Sequence, residues 1–122
     1  MKESIVAYIW KHRLAGSLFR TVAGEPVRVE HPGVQNLNAG PDFLNARIRI
    51  ADTLWAGNVE VHWRASSWEE HGHGLDEKYQ NVILHLVMVN DREARTKCGR
   101  AIPCIDLSSY IADGILERYG HL

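Results

Sequence analysis

The sequence predicts an α/β (α+β) fold built on a mixed central sheet flanked by helices. Three observations carry this. "FLNARIRI" and "LWAGNVEVHWR" alternate apolar and polar residues on either side of Asp52-Thr53, the pattern of a half-buried hairpin. "NVILHLVMV", residues 81 to 89, is a continuous β-branched apolar run, as in a strand covered on both faces. Ile5, Val6, Ile9, Trp10 and Leu14 recur at helical spacing.

Taken in order, residues 3 to 14 read as an amphipathic helix with Gly16 as its stop. "FRTVAG" and "EPVRVEH" read as two strands around Gly24, with Val27 and Val29 facing one way and Arg28 and Glu30 the other. His31-Pro32-Gly33 breaks the second strand, and "VQNLNAGPD" is a loop. In the hairpin, Leu44, Ala46, Ile48 and Ile50 share one face. On the return strand Val59, Val61 and Trp63 lie opposite Glu60, His62 and Arg64. Ser66 and Ser67 each precede a Glu by three residues, a capping-box signal for a helix that Gly72 and Gly74 keep short or break. After the apolar run, "EARTKCGRAIPCIDL" is expected to pair back, and residues 108 to 119 to form a last amphipathic helix.

The chain has 122 residues, 45% hydrophobic and 24% charged, with a net charge of -1. That is a single-domain length and a globular composition. The near-neutral charge leaves nucleic-acid binding to a local patch, for which Arg92, Arg95, Lys97 and Arg100 are the candidates. A solvated hairpin tip would carry the same charges. Cys98 and Cys104 fit neither a zinc knuckle nor a disulfide framework, and free thiols in a cytoplasmic protein are expected. The N-terminal apolar stretch is too short to span a bilayer and ends in Lys11, His12 and Arg13, so no membrane partner is expected. Residues 1–122 read as one domain; nothing at Leu122 marks a natural stop, so a fragment of a longer protein fits as well. The sequence leaves the oligomeric state open.

The chemistry concentrates between Asp42 and His85. Glu60, His62 and Arg64 share a strand face at steps of about 7 Å. Asp42 lies where the hairpin brings it beside Glu60, and two converging carboxylates make an oxygen site suited to Mg²⁺ or Mn²⁺. Cross-strand pairing of Glu60 and Arg64 with Arg47 or Arg49 across the hairpin, the Glu60 pair being ionic, would explain the same spacing. "HGHGLD" opens an alternative, a Zn²⁺ site on His62, His71, His73 and Asp76, in a loop whose glycines let it wrap an ion. It departs from the metallo-β-lactamase pattern by one extra residue before Asp76 and by the absence of a following His. A solvated polar loop is the other reading. His85, among aliphatics, reads as a hydrogen-bonded core histidine. Trp55, Trp63 and Trp68 read as core or cleft walls.

"HPGVQNLNAGPDFLNARIRI", "LWAGNVEVHWRASSWEEHGH" and "DEKYQNVILHLVMVND" resemble the N-terminal part of a bacterial family, domain of unknown function 2851, over residues 3 to 91. The likeness weakens after residue 92. Members of that family generally continue further, which implies a truncated or compact relative and brings no activity with it.

A looser resemblance does bring one. A "PD" opening a strand, "ExH" on the next, then a helix and a buried strand are similar to the PD-(D/E)XK phosphodiesterase core. That implies a restriction-endonuclease-like fold. It also implies that Asp42 and Glu60 bind Mg²⁺ or Mn²⁺ with the Val61 carbonyl, and that His62 stands where the family has Lys. Arg64, His71, His73 and Asp76 would line the substrate side, and Glu3 is the candidate ligand on the first helix. A neutral His supplies no permanent charge near phosphate. The expectation is therefore a metal-dependent nucleic-acid phosphodiesterase. A non-catalytic binding or scaffold domain on the same fold is the alternative, and the zinc site a second one.

Overall fold

The structure, a computed structural model, describes residues 2–111. Its elements are α1 (Lys2–Lys11), β1 (Leu18–Arg20), β2 (Pro26–His31), β3 (Val34–Gln35), β4 (Phe43–Ile50), β5 (Thr53–Arg64), α2 (Ser67–Glu70), β6 (Val82–Val89) and β7 (Cys104–Asp106). Short 3-10 turns cover His73–Leu75, Glu77–Tyr79 and Leu107–Ser109. The strands form one sheet in the order β1-β2-β4-β5-β6-β7, with β3 also on β4. From β1 to β5 the pairing is antiparallel; β5-β6 and β6-β7 are parallel. The expected α+β architecture with a mixed sheet is therefore present. Among the described residues no helix is long and apolar enough to cross a membrane.

α1 stops at Lys11, three residues before the expected Leu14, because Arg13 takes a left-handed φ of 54°. Leu14 and Gly16 belong to the turn that follows. β2 and β3 lie one after the other along the same side of β4, broken at Pro32-Gly33, so part of the expected loop is a two-residue strand. Gly33 has φ +94°, and a Cβ there would stand 3.0 Å from Leu44 O and from the Phe43 Cβ. Only glycine fits that close approach.

One irregularity decides where the chemistry lies. Strict alternation would put Leu44 and Asp42 on the same face as Ala46, Ile48 and Ile50. Instead the register of β4 on β5 shifts between Phe43 and Ala46, with Asn45 at φ 58° and its N–H bonded to Asn58 Oδ1 at 3.1 Å. This bulge puts Phe43, fully buried, on the apolar face, and turns Asp42 to the opposite one.

That apolar face packs on α1. Val6 and Trp10 meet Phe43, Ile48, Val59, Val61, Leu84, Leu86 and Ile105, and Trp10 Nε1 donates to Pro32 O at 3.0 Å. The other face of β5 and β6 lies under the connection between them. Parallel neighbours need a crossover, and residues 65–81 supply it. It is a four-residue helix and two 3-10 turns, in keeping with the short or broken helix expected from Gly72 and Gly74. Gly72 takes φ +71° after α2. Trp68 and Tyr79 of the crossover join Val82, Ala94 and Ile102 in a second, smaller apolar cluster.

The expected return of residues 93–107 antiparallel to β6 is corrected. β7 runs parallel to β6, and the segment before it holds only an isolated antiparallel bridge, Arg95 with Ala101. Of the helix expected over 108–119, residues 112–119 lie outside the described residues, and Leu107–Ser109 is a 3-10 turn.

Candidate functional site

The site lies on the crossover side of the sheet, where three neighbouring strands each place a polar residue. Parallel register sets Glu60 beside His85, and Asp42 continues β4 opposite Glu60. β5 runs on past the start of β4, leaving the Val61 N–H without a ladder partner. Asp42 Oδ2 takes it at 2.8 Å, and the Asp42 N–H donates to Glu60 Oε1 at 3.1 Å. These two bonds set the Asp42 and Glu60 carboxyl groups side by side, close enough for each to shift the titration of the other. Cross-strand pairing of Glu60 with Arg47 or Arg49 does not occur; Arg49 pairs with Glu30.

The crossover brings the histidines down onto this pair. His73 Nε2 stands 2.9 Å and His62 Nε2 3.4 Å from Glu60 Oε2. His62 Nδ1 lies 2.8 Å from His85 Nε2, deep in the sheet. His71, at the end of α2, closes a triangle of imidazoles: its ring centroid is 5.3 Å from that of His62 and 5.4 Å from that of His73. The ring nitrogens of His62, His71 and His73 lie within 4.8 Å of one another. Glu60, His62 and His85 are 4%, 1% and 1% exposed and His73 8%, so His71 alone of the triangle faces solvent.

Aromatic walls hold the histidines. Tyr79 stacks on His73 at 3.7 Å between centroids and 15° between planes, and Trp68 meets the same ring edge-on at 5.3 Å. The Trp68 indole N–H is spent on Arg95 O at 2.9 Å, so this ring acts as wall rather than donor.

Burial sets the charge state. Asp42 is pushed up to about 8, by burial first and then by its hydrogen bond to Glu60 and the Glu60 charge. Glu60 is raised to about 7 by burial, which its hydrogen bonds to Asp42 partly oppose; the charge of Glu3 on α1 adds to the rise. The two carboxyls titrate as a pair that keeps about one proton between them near neutral pH. Burial, with repulsion from His85, His73 and His71, lowers His62 to about 2. His85 falls to about 4 by burial, with His73 adding to it. His73 is lowered by burial, against the pull of Asp42, Asp76 and Glu3. At neutral pH the imidazoles His62 and His85 are uncharged ligands or proton acceptors.

Of the expected site residues, Asp42, Glu60, His62, His71 and His73 converge, and Val61 offers its N–H to Asp42. Arg64 does not join them: its side chain is exposed and 4.0 Å from Asp91 at the far end of β5. Asp76 caps a 3-10 turn through the Lys78 N–H and pairs with Lys78 at 3.7 Å, so Glu60 occupies the place expected of Asp76 beside the histidines. His85 is the buried, hydrogen-bonded histidine expected, but its partner is His62, which ties it to the site. Its period-2 phase in "VILHLV", set against "VEVH" on a parallel neighbour, is the signal that could have placed it there.

The basic segment is largely neutralised. Arg92 pairs with Glu69 at 2.7 Å, Arg95 with Glu93 at 2.8 Å and Lys97 with Glu77 at 3.3 Å. Arg100 is bound to Gln80 O and Val82 O.

A family model described as protein of unknown function (DUF2851) matches residues 3–122, beyond the stretch that carried the resemblance, and no curated protein or solved structure matches the chain. The chain belongs to that family.

Proposed function

We propose that this chain is a metal-dependent phosphodiester hydrolase, with nucleic acid as the substrate class and Asp42, Glu60 and His62 as its working residues. The observation that carries the reading is the convergence of Asp42 and Glu60 where "PD" at the head of β4 meets "ExH" on β5, with the Asp42 N–H donating to Glu60 Oε1 at 3.1 Å and the Val61 N–H to Asp42 Oδ2 at 2.8 Å. Support also comes from the placement of α1, whose Glu3 is felt electrostatically by Glu60 and His73. The order of a PD strand, an acidic strand and a buried parallel strand matches what a restriction-endonuclease-like core calls for. A divalent ion at this cluster would polarise a phosphoryl oxygen and lower the pKa of a bound water.

The chain's own residues have separable tasks. Glu60 holds negative charge between the imidazoles. Asp42 fixes the Glu60 carboxyl and can pass its proton to it. Neutral His62 accepts a proton but supplies no fixed charge to phosphate. His71 at the rim is the first group that a substrate meets.

One observation favours a second reading, a binding or scaffold domain without catalysis. Among the described residues no Lys or Arg bonds to this cluster, and the basic segment nearby is engaged in its own pairs. One assay separates the two readings. Single- and double-stranded DNA, RNA and bis(p-nitrophenyl) phosphate are incubated with the protein and Mg²⁺, Mn²⁺ or Zn²⁺. Cleavage that falls about a hundredfold or more in Asp42→Asn is expected. No cleavage with any substrate and metal retires the hydrolase.

A further inference from the structure

We infer that the ion taken by this cluster is a nitrogen-preferring first-row cation of the Zn²⁺ type, held by His62, His71, His73 and Glu60, with Asp42 and His85 outside its coordination shell. The inference rests on the proposed hydrolase for what the ion would do, not for its being bound.

The donor set argues first. Three imidazoles and one carboxylate suit Zn²⁺ and its neighbours, whereas Mg²⁺ asks for near-octahedral oxygen. Spacing argues next. Donors in a tetrahedral shell with bonds of about 2.0–2.1 Å stand about 3.3 Å apart. Glu60 Oε2 is 2.9 Å from His73 Nε2 and 3.4 Å from His62 Nε2, so two of the three imidazoles already stand near that separation from the carboxylate donor. His71, whose ring is exposed, is the donor free to swing in, and its nitrogen starts within 4.8 Å of the other two.

The surroundings have the form of an outer shell. A ligating histidine usually bonds its second nitrogen to a fixed partner, and His62 Nδ1 meets His85 Nε2 at 2.8 Å. With His62 Nε2 as ligand its proton sits on Nδ1 and is donated to His85. His73 is held between Tyr79 and Trp68. Asp42 Oδ2 is engaged by the Val61 N–H, and the Asp42 N–H holds Glu60 Oε1 at 3.1 Å. Asp42 is thus a positioning residue for Glu60, which sets this arrangement apart from one where Asp42 and Glu60 share an ion directly.

The test uses the full chain stripped with chelator and titrated with Zn²⁺ and Co²⁺ by calorimetry, with the visible spectrum of the Co²⁺ form as a reading of coordination. Expected are one equivalent of either metal, the intense bands of four-coordinate Co²⁺, and affinity lower by about tenfold or more in His71→Ala. His71 is exposed, so that variant keeps its fold, and Asp42→Asn should still bind one four-coordinate Co²⁺. Failure of wild type to bind Zn²⁺ or Co²⁺, binding indifferent to His71→Ala, or a six-coordinate Co²⁺ spectrum overturns the inference. The hydrolase reading fails separately. Stoichiometric Zn²⁺ with no cleavage sinks that reading and keeps this site. Mg²⁺-dependent cleavage lost in Asp42→Asn but not in His71→Ala keeps the hydrolase and sinks this site.

Discussion

The two faces of β5 are buried to the same degree and for opposite reasons. Toward α1, Val59 and Val61 are 0% and 2% exposed and meet Leu84, Leu86 and Ile105. Toward the crossover, Glu60 and His62 are 4% and 1% exposed and meet Asp42, His73 and His85. The apolar face gains by leaving water, at roughly 25 cal/mol per Å². The polar face loses hydration and recovers only what its hydrogen bonds return, which for buried ionisable groups is often no net gain. The raised carboxyls and lowered imidazoles record that strain. A fold that carries such a layer is supported by its other face.

The largest expected effect sharpens this contrast. Leu86→Ala empties a fully buried site on the α1 face and should cost about 2–5 kcal/mol in denaturant unfolding. A loss under about 1 kcal/mol would mean that this face does not anchor the sheet.

Second comes the bulge that separates the faces. Asn45→Val forces a β-branched residue into φ 58° and should cost about 1–2 kcal/mol from the backbone alone, while Asn45→Gly stays near wild type. If the valine variant unfolds like wild type, the bulge is not what directs Asp42.

The third prediction is a pH dependence of the metal-free protein. Carboxyls raised to about 7 and about 8 make the folded state hold protons that the unfolded chain has lost. Their contribution is fully present below about pH 4 and is lost as pH rises to about 8. His62 and His85, lowered to about 2 and about 4, act oppositely, weakening the fold as pH falls below about 6.5. His73, also lowered by burial, acts with them, and above about pH 6.5 this opposing effect fades so that the carboxyls dominate up to about pH 8. Wild-type Tm should fall across that interval and the Asp42→Asn curve should be flatter; parallel curves would refute the shared-proton pair.

The smallest effect belongs to the surface. Arg92→Ala removes an exposed ion pair with Glu69 and should change stability by less than about 1 kcal/mol. A larger loss would show that the crossover is pinned from its outer side.

Much of this was legible in the residues. The period-2 pattern gave the β4-β5 hairpin and the shared face of Glu60 and His62, and the apolar run gave buried β6. The hairpin reading set Asp42 beside Glu60, as the pairing of β4 with β5 does. Strict alternation points Asp42 to the apolar face, and it misses the true face because a bulge adds a residue without changing the apparent pattern. Arg64 shares the phase of Glu60, yet it sits where β5 leaves the cover of the crossover, and Asp91 holds it there. The basic segment looked like a patch because its acidic partners Glu69 and Glu77 are distant in sequence.

The sequence by itself determined the strands, the hairpin and the residue types that concentrate between Asp42 and His85, because alternation and composition are local and a two-residue period is read directly from the chain. The tertiary structure decided which groups meet. Parallel pairing of β5 with β6 sends residues 65–81 across the polar face, so His71 and His73 descend onto Glu60 while Asp76 stays at the rim. The physical reason is that register and crossover path follow from the packing of the whole sheet, and a donor's neighbours depend on them more than on its distance along the chain.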